Sequence, residues 1–278
     1  MCQHRGMASS GSVAAGEGHS HHSASTVSIV VIGLAAGFLS GMFGVGGGIL
    51  IVPALVLFAK MDQRIAHGTS LGAVLPISVA SLATYWVNDH VDWPIAWWLA
   101  LGAVAGAVIG TKLLHVLPHR TLAISFSALL IVTAVRLFMQ SVGEGRDSLT
   151  WQMAVVLVLV GIATGILAGL LGVGGGVVMV PAMMLILSMP AVMAKGTSVA
   201  VIIPTAIMGT WRNRRNDNAD LKASAIVGFG GIASAIVGGW ISSRMAETLS
   251  NVLFAILLVV VASRLLWQVR LDGKQPAH

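Results

Sequence analysis

Long apolar blocks alternate with short polar breaks along this chain, at about 27–59, 65–87, 94–117, 120–139, 151–187, 190–211, 223–243 and 247–267. A helix that crosses a membrane needs roughly 20 apolar residues. The pattern therefore predicts an all-α, polytopic membrane protein of eight helical blocks. A polar stretch at 141–150 divides them into two sets of four. The expected organisation is a polar, His-rich tail at 1–26, a membrane repeat at 27–140, a linker at 141–150, a second repeat at 151–268 and a polar tail at 269–278.

The two sets are copies of one another. A shift of 128 positions lays GLAAGFLSGMFGVGGGILIVPAL (33–55) on GIATGILAGLLGVGGGVVMVPAM (161–183). Over 33–76 and 161–204, 20 of 44 positions are identical. Shared apolar bias does not produce this, because the matches include Gly, Pro and Gly-Thr-Ser at fixed spacing. Asp92 also falls on Asp220, Gly110 on Gly238 and Arg136 on Arg264. Internal duplication marks many secondary transporters.

Block 27–59 is too long for one crossing: at ~1.5 Å per residue it would reach about 50 Å, against a hydrocarbon core of about 30 Å. The GVGGG run at 44–48 is the natural break, since glycine is a poor helix former. The second copy has the same run at 172–176. Two topologies fit. One has four crossings per copy and parallel copies. The other has a crossing, a re-entrant pair of short helices either side of 60–70, and two more crossings, which inverts the copies. In the parallel topology basic residues divide ten to six between the two sides. In the inverted one they divide ten to three, with Lys60, Arg64 and Lys195 in the re-entrant tips. The positive-inside rule favours inversion, and both topologies place both termini in the cytoplasm.

Composition sharpens this picture. The chain is 56% hydrophobic and 9% charged, where a soluble domain is about 25% charged. Its net charge of +6 reflects basic loops between apolar blocks and implies no nucleic-acid partner. The lipid bilayer is the expected partner, and homo-oligomerisation is left open. Cys2 is the only cysteine, so an internal disulfide and a Cys-based zinc site are excluded. No cleavable signal peptide is expected, since residues 1–26 are polar. All ten acids fall in tails, loops or block ends. No mid-membrane carboxylate is left for proton or sodium coupling, and no catalytic set is visible, so neither an enzyme nor a cofactor is expected. His19, His21 and His22 suggest metal, but nothing near them fixes a coordination geometry.

The candidate site residues are those that repeat. Gly46, Gly47 and Gly48 match Gly174, Gly175 and Gly176. Packing glycines recur at i, i+4, as Gly33, Gly37 and Gly41 do; a consecutive run instead unwinds the chain. In lipid the freed N–H groups need protein, water or substrate as partner. A helix starts after each run, and helix N-termini attract anions. Thr69 and Ser70, with their counterparts Thr197 and Ser198, follow a glycine and read as caps of a further helix. Each copy would then offer two N-termini to a compact oxyanion. His67 and Lys195 hold equivalent positions, so a cationic side chain recurs there; for Lys195 the competing reading is snorkelling to the interface. Arg212, Arg214 and Arg215 form either a cytoplasmic anchor or an anion vestibule.

The doubled G-x-x-x-G-x-x-G-x-G-G-G-x-x-x-x-P pattern (37–53 and 165–181), followed by Gly-Thr-Ser, resembles the TauE/SafE sulfite exporter family, also called the toluene sulfonate uptake permeases. The resemblance covers about 33–268. It implies a carrier of sulfur-containing anions such as sulfite or an organosulfonate, in the bacterial inner membrane. Substrate would bind at the midplane between rocking repeats. Export of an anion could then run down the membrane potential, at about 2.3 kcal/mol per charge per 100 mV. Uptake would need coupling, for which His67 is the one buried-looking titrating candidate. The alternatives are a cation or metal transporter, or a non-enzymatic membrane subunit of a larger complex.

Overall fold

The computed structural model describes residues 26–113, 151–171 and 175–272, with 124, 127, 128, 130–132, 134 and 135 from the segment between. All regular structure among these residues is helical. The helices are α1 (Thr26–Phe43), α2 (Gly48–Phe58), α3 (Gln63–Val87), α4 (Trp93–Leu113), α5 (Trp151–Leu171), α6 (Gly176–Leu187), α7 (Ala191–Arg215), α8 (Leu221–Gly230), α9 (Ile232–Arg244) and α10 (Glu247–Asp272).

Blocks 27–59 and 151–187 each divide at the glycine run, into α1 and α2 and into α5 and α6. Among the described residues five helices (α3, α4, α5, α7 and α10) are long and apolar enough to cross a membrane. The pair α8–α9, bent by 43°, makes a sixth candidate. The short helices α1, α2 and α6 fall below that length, and block 120–139 lies mostly outside the described residues.

One expectation is corrected. Gly68-Thr69-Ser70 and Gly196-Thr197-Ser198 do not begin helices. They lie in the second turn of α3 and α7, each an unbroken helix of 25 residues. The α3 helix starts earlier because Asp62 caps it, its carboxylate accepting from Arg64 N at 2.8 Å. Pro190 holds the equivalent place before α7. A mid-helix glycine costs about 1 kcal/mol against alanine, but packing requires it at both positions. A Cβ on Gly68 would collide with the carbonyl of Asn218, and one on Gly196 with that of His90. The glycines let neighbouring backbone approach, and the helix continues through them. The re-entrant pair either side of 60–70 is thus one short helix followed by a full-length one.

Small residues set the packing. Gly33, Gly37 and Gly41 of α1 lie against the carbonyls of Val227, Gly231 and Ala235 along α8 and α9. Gly102, Gly106 and Gly110 of α4 lie against those of Val158, Ile162 and Ile166 on α5, which returns Gly161 and Gly165 against Leu99 and Ala103. In lipid no hydrophobic force draws helices together, so close van der Waals approach at such ridges carries the association. The contacts also cross the sequence. α1 packs on α8 and α9 from the second half, α5 packs on α4 from the first, and α3 and α7 pack on each other.

The turns correspond as well. Lys60 and Ser188 are both left-handed (φ 52° and 51°), as are Asp89 and Asp217 (φ 55° and 52°).

Candidate substrate site

The chain enters α2 and α6 through Gly47 and Gly175. These adopt φ 71° and ψ −15°, and φ 76° and ψ −19°. This region is costly to any residue with a Cβ. The carbonyl of Gly47 accepts from Leu50 and Ile51 N–H, and that of Gly175 from Val178 and Met179 N–H, all at 3.0–3.1 Å. Each glycine therefore opens a helix in which the N–H groups of its first two residues, Gly48 and Ile49 in α2 and Gly176 and Val177 in α6, have no intrahelical acceptor. Gly44 and Gly46 are left-handed too, and Gly44–Gly48 are buried. Gly174 lies outside the described residues.

The two breaks meet. A Cβ on Gly176 would lie 2.8 Å from the carbonyl oxygen of Gly44 and 2.9 Å from Val45 Cα. Val74 of α3 and Ile202 of α7 flank the junction, each 3.2 Å from a Cβ built on Gly46. The Ser198 hydroxyl donates to Gly44 O at 2.8 Å, which ties the second turn of α7 to the first break. Gly46, Gly47, Gly48, Gly175, Gly176 and Ser198 thus form one cluster.

Lys195 belongs to this cluster. Its backbone is what forces residue 44 to be glycine, since a Cβ there would sit 2.7 Å from Lys195 Cα. Its side chain is 1% exposed and does not snorkel. The ammonium donates to Ser250 Oγ on α10 at 2.5 Å. It lies 5.5 Å from the ring centroid of Phe43 and 5.6 Å from that of Phe254, the two rings stacked at 5.9 Å. Among the described residues no carboxylate pairs with it. A desolvated cation–π contact is worth about 2 kcal/mol, while dehydrating an ion costs several kcal/mol even after relaxation. The aromatic pair and one hydroxyl therefore leave much of that cost uncovered.

Other residues singled out by sequence sit differently. Thr69 and Thr197 accept hydrogen bonds from Asp220 N and Asp92 N, at 2.9 and 3.0 Å, and so serve as struts between helices. Ser70 is buried in α3, and His67 is half-buried. His67 is therefore not the most buried titrating group; Lys195 is far more enclosed. His90, beside Asp89 in the α3–α4 turn, is pushed below its ordinary range by burial, and Asp89 opposes the shift. Its Nδ1 is buried without a partner.

Sequence reasoning missed Phe43, Ser250 and Phe254. The two α10 residues lie in a block that reads as featureless lipid-facing apolar sequence, and nothing in the repeat pattern marks them. A narrow, largely apolar cavity of about 10 Å³, room for one water molecule, runs beside the cluster. Its walls include Ala168, whose methyl would touch a Cβ on Gly175 at 3.2 Å, and it reaches Thr205 and Arg212 on α7.

The family described as "Sulfite exporter TauE/SafE" matches residues 6–139 and 157–278. The probable membrane transporter protein YunE of Bacillus subtilis (strain 168) is 27% identical over 272 residues, covering 88% of this chain and 98% of that one. A probable membrane transporter protein of Xylella fastidiosa (strain 9a5c) is 27% identical over 248 residues, with 86% and 95% covered. The probable membrane transporter protein YjnA of B. subtilis is 24% identical, with 87% and 100% covered. With the family matching nearly the whole chain, this multi-pass membrane transporter belongs to the TauE/SafE family.

Proposed function

We propose that the protein carries a small sulfur-containing anion, such as sulfite or an organosulfonate, across the bacterial inner membrane. The anion binds where the two glycine breaks meet. It takes hydrogen bonds from the N–H groups of Gly48 and Ile49 in α2 and of Gly176 and Val177 in α6, and sits opposite the charge of Lys195. The two halves of the chain are inverted repeats, with both termini cytoplasmic, and one rocks against the other to expose the site alternately. No bond in the substrate is made or broken.

The observation that carries this reading is Lys195, whose buried ammonium has no carboxylate partner among the described residues and whose backbone packs against Gly44, in the first of the two left-handed glycine breaks. A cation in such a place needs a counter-charge. Helix N-termini supply donors and partial positive charge for the same ligand. The family description supports sulfite, while sulfonates share its compact trigonal oxygen face.

The test is exchange of radiolabelled sulfite and methanesulfonate in proteoliposomes, for the wild-type chain and for Gly175→Val. The wild type should exchange at least one of the two anions, and the variant should lose at least tenfold of that rate. If neither anion exchanges, the substrate assignment fails.

A further inference from the structure

We infer that the cavity beside the glycine junction is the anion's path to the cytoplasm, and that Arg212, at the end of the path away from the junction, binds the anion as it enters or leaves. The inference rests on the anion reading above and adds to it a second binding residue and a side of the membrane.

The cavity follows one face of α7. Thr205, Gly209 and Arg212 line it at i, i+4 and i+7, a spacing that stacks side chains on a single face. Ile202 of the same helix flanks the junction, so Arg212 stands ten residues, or about 15 Å, further along the helix. At the near end Ala168 contacts the space beside Gly175. The walls come from both halves of the chain, with Leu71 and Ala107 from the first and the rest from the second. The path therefore lies on the seam along which the halves move. In this state it has room for one water molecule, and the walls part for an anion to pass.

The three arginines at the end of α7 are not equivalent. Arg215 lies 4.2 Å from the ring centroid of Trp211, an exposed tryptophan of the kind that anchors a helix at the membrane surface. Arg214 is exposed, whereas Arg212 is half-buried and faces the cavity. The nearby Asp220 carboxylate accepts from Lys222 N and Ala223 N at 2.9 and 3.0 Å, and among the described residues no carboxylate pairs with Arg212. Its planar fork of N–H donors matches two oxygens of a sulfite or sulfonate. In a narrow, largely apolar passage one unpaired cation sets the local field and concentrates anions. The positive-inside rule places this basic end of α7 at the cytoplasm.

The equivalent path of the other half has no such residue. The position 128 residues before Arg212 is Thr84, whose hydroxyl donates to Ser81 O at 2.7 Å. The counterparts of Gly169 and Ala107, which both line the cavity, are Gly41 and Ala235. A Cβ on Gly41 would enter the carbonyl of Ala235, and the Tyr85 hydroxyl holds the Gly41 carbonyl at 2.6 Å. That side is closed here and carries no cation at the matching place, so capture by arginine is one-sided.

Thr205 supplies the reporter. Its hydroxyl donates within α7, to the carbonyls of Val201 and Ile202 at 3.2 and 2.8 Å, so a thiol there takes nothing from a neighbouring helix. The full chain carrying Cys2→Ser and Thr205→Cys is treated, in inside-out and right-side-out vesicles, with two methanethiosulfonates, one ending in a sulfonate and one in a trimethylammonium group. The sulfonate reagent should label faster from the cytoplasmic face, and methanesulfonate should slow it. Arg212→Gln should lower the ratio of sulfonate to ammonium labelling about tenfold, the lower end of what a focused field does to encounter rates, and Arg212→Lys should keep the ratio. Equilibrium exchange of labelled sulfite or methanesulfonate at low concentration should fall about as far in Arg212→Gln and recover at saturating anion, while Arg215→Gln leaves exchange unchanged. If Arg212→Gln does not reach the membrane, salt decides: raising ionic strength should lower the labelling ratio of the chain that keeps Arg212, and a ratio indifferent to salt overturns the inference. Labelling that is absent or equal from both faces, a ratio unmoved by Arg212→Gln, or the same loss of exchange in Arg215→Gln would each overturn it and leave the anion reading standing. A wild-type chain that exchanges neither anion removes both.

Discussion

The hydroxyl of Thr69, in the second turn of α3, accepts a hydrogen bond from the backbone N–H of Asp220 at 2.9 Å. The hydroxyl of Thr197, 128 positions later, accepts from the N–H of Asp92 at 3.0 Å, and Asp92 lies 128 positions before Asp220. Each threonine pins its own helix to the start of a helix from the other half. Both hydroxyls are buried. Replacing either by valine leaves a partly buried N–H without an acceptor, at about 1–3 kcal/mol. Thermal unfolding in detergent should show Thr69→Val and Thr197→Val destabilised by similar amounts, and Thr69→Ser close to wild type.

The two left-handed glycines should differ when given a methyl group. Both pay the backbone cost of about 1–2 kcal/mol. A Cβ on Gly47 also meets the carbonyl oxygen of Ala36 at 2.7 Å, which is backbone and cannot step aside. At Gly175 the nearest atom is Met179 Cε at 3.1 Å, the end of a flexible side chain. Gly47→Ala should therefore lose more thermal stability and more transport than Gly175→Ala. Equal effects would mean that strain, rather than packing, sets the cost at both sites.

The helix ridges give a sharper contrast. A Cβ on Gly165 would enter the carbonyl of Ala103, whereas one on Gly230 finds nothing nearer than 3.8 Å. Gly165→Ala should separate α4 from α5 and depress folded yield, as overpacking typically costs about 1–3 kcal/mol. Gly230→Ala should be neutral or slightly stabilising, since alanine is the better helix former by about 1 kcal/mol. Yield and melting of the two detergent-purified variants check this pair.

These contrasts show which features the sequence displayed and which it hid. The glycine breaks were legible because a run of three glycines has few structural uses, and it occurs twice at one spacing. The i, i+4 glycines were legible as packing ridges, but not their partners, because a glycine announces close approach without naming what approaches. Gly-Thr-Ser misled for a related reason. Glycine followed by two hydroxyl residues has the local chemistry of a helix boundary, yet here the glycine clears space for the carbonyls of Asn218 and His90. The threonine hydroxyl serves a helix far away in sequence. Tertiary contacts at a separation of about 150 residues override local propensity, and nothing local records them. Lys195 stood out by its match to His67, but its aromatic and hydroxyl surroundings come from α1 and α10 and needed the fold.

Tyr85 yields the last expectation. Its hydroxyl donates to the carbonyl of Gly41 at 2.6 Å, and both residues are buried. Gly41 lies in the last turn of α1, where the carbonyls run out of intrahelical donors just before the chain unwinds at Gly44. The phenol therefore terminates α1 and fixes where the first break begins. The position 128 residues later is Asn213, whose amide is spent on Gly209 O within its own helix at 2.9 Å. The second break has no such clasp from that position. Tyr85→Phe keeps the ring and removes only the donor, at a cost of about 0.5–1.5 kcal/mol. Hydrogen exchange should then rise over residues 41–48 and remain unchanged at Gly175–Met179. Asn213→Ala should leave exchange at both breaks as in wild type. Faster exchange at both breaks in Tyr85→Phe would mean that the phenol holds the whole junction rather than the end of α1.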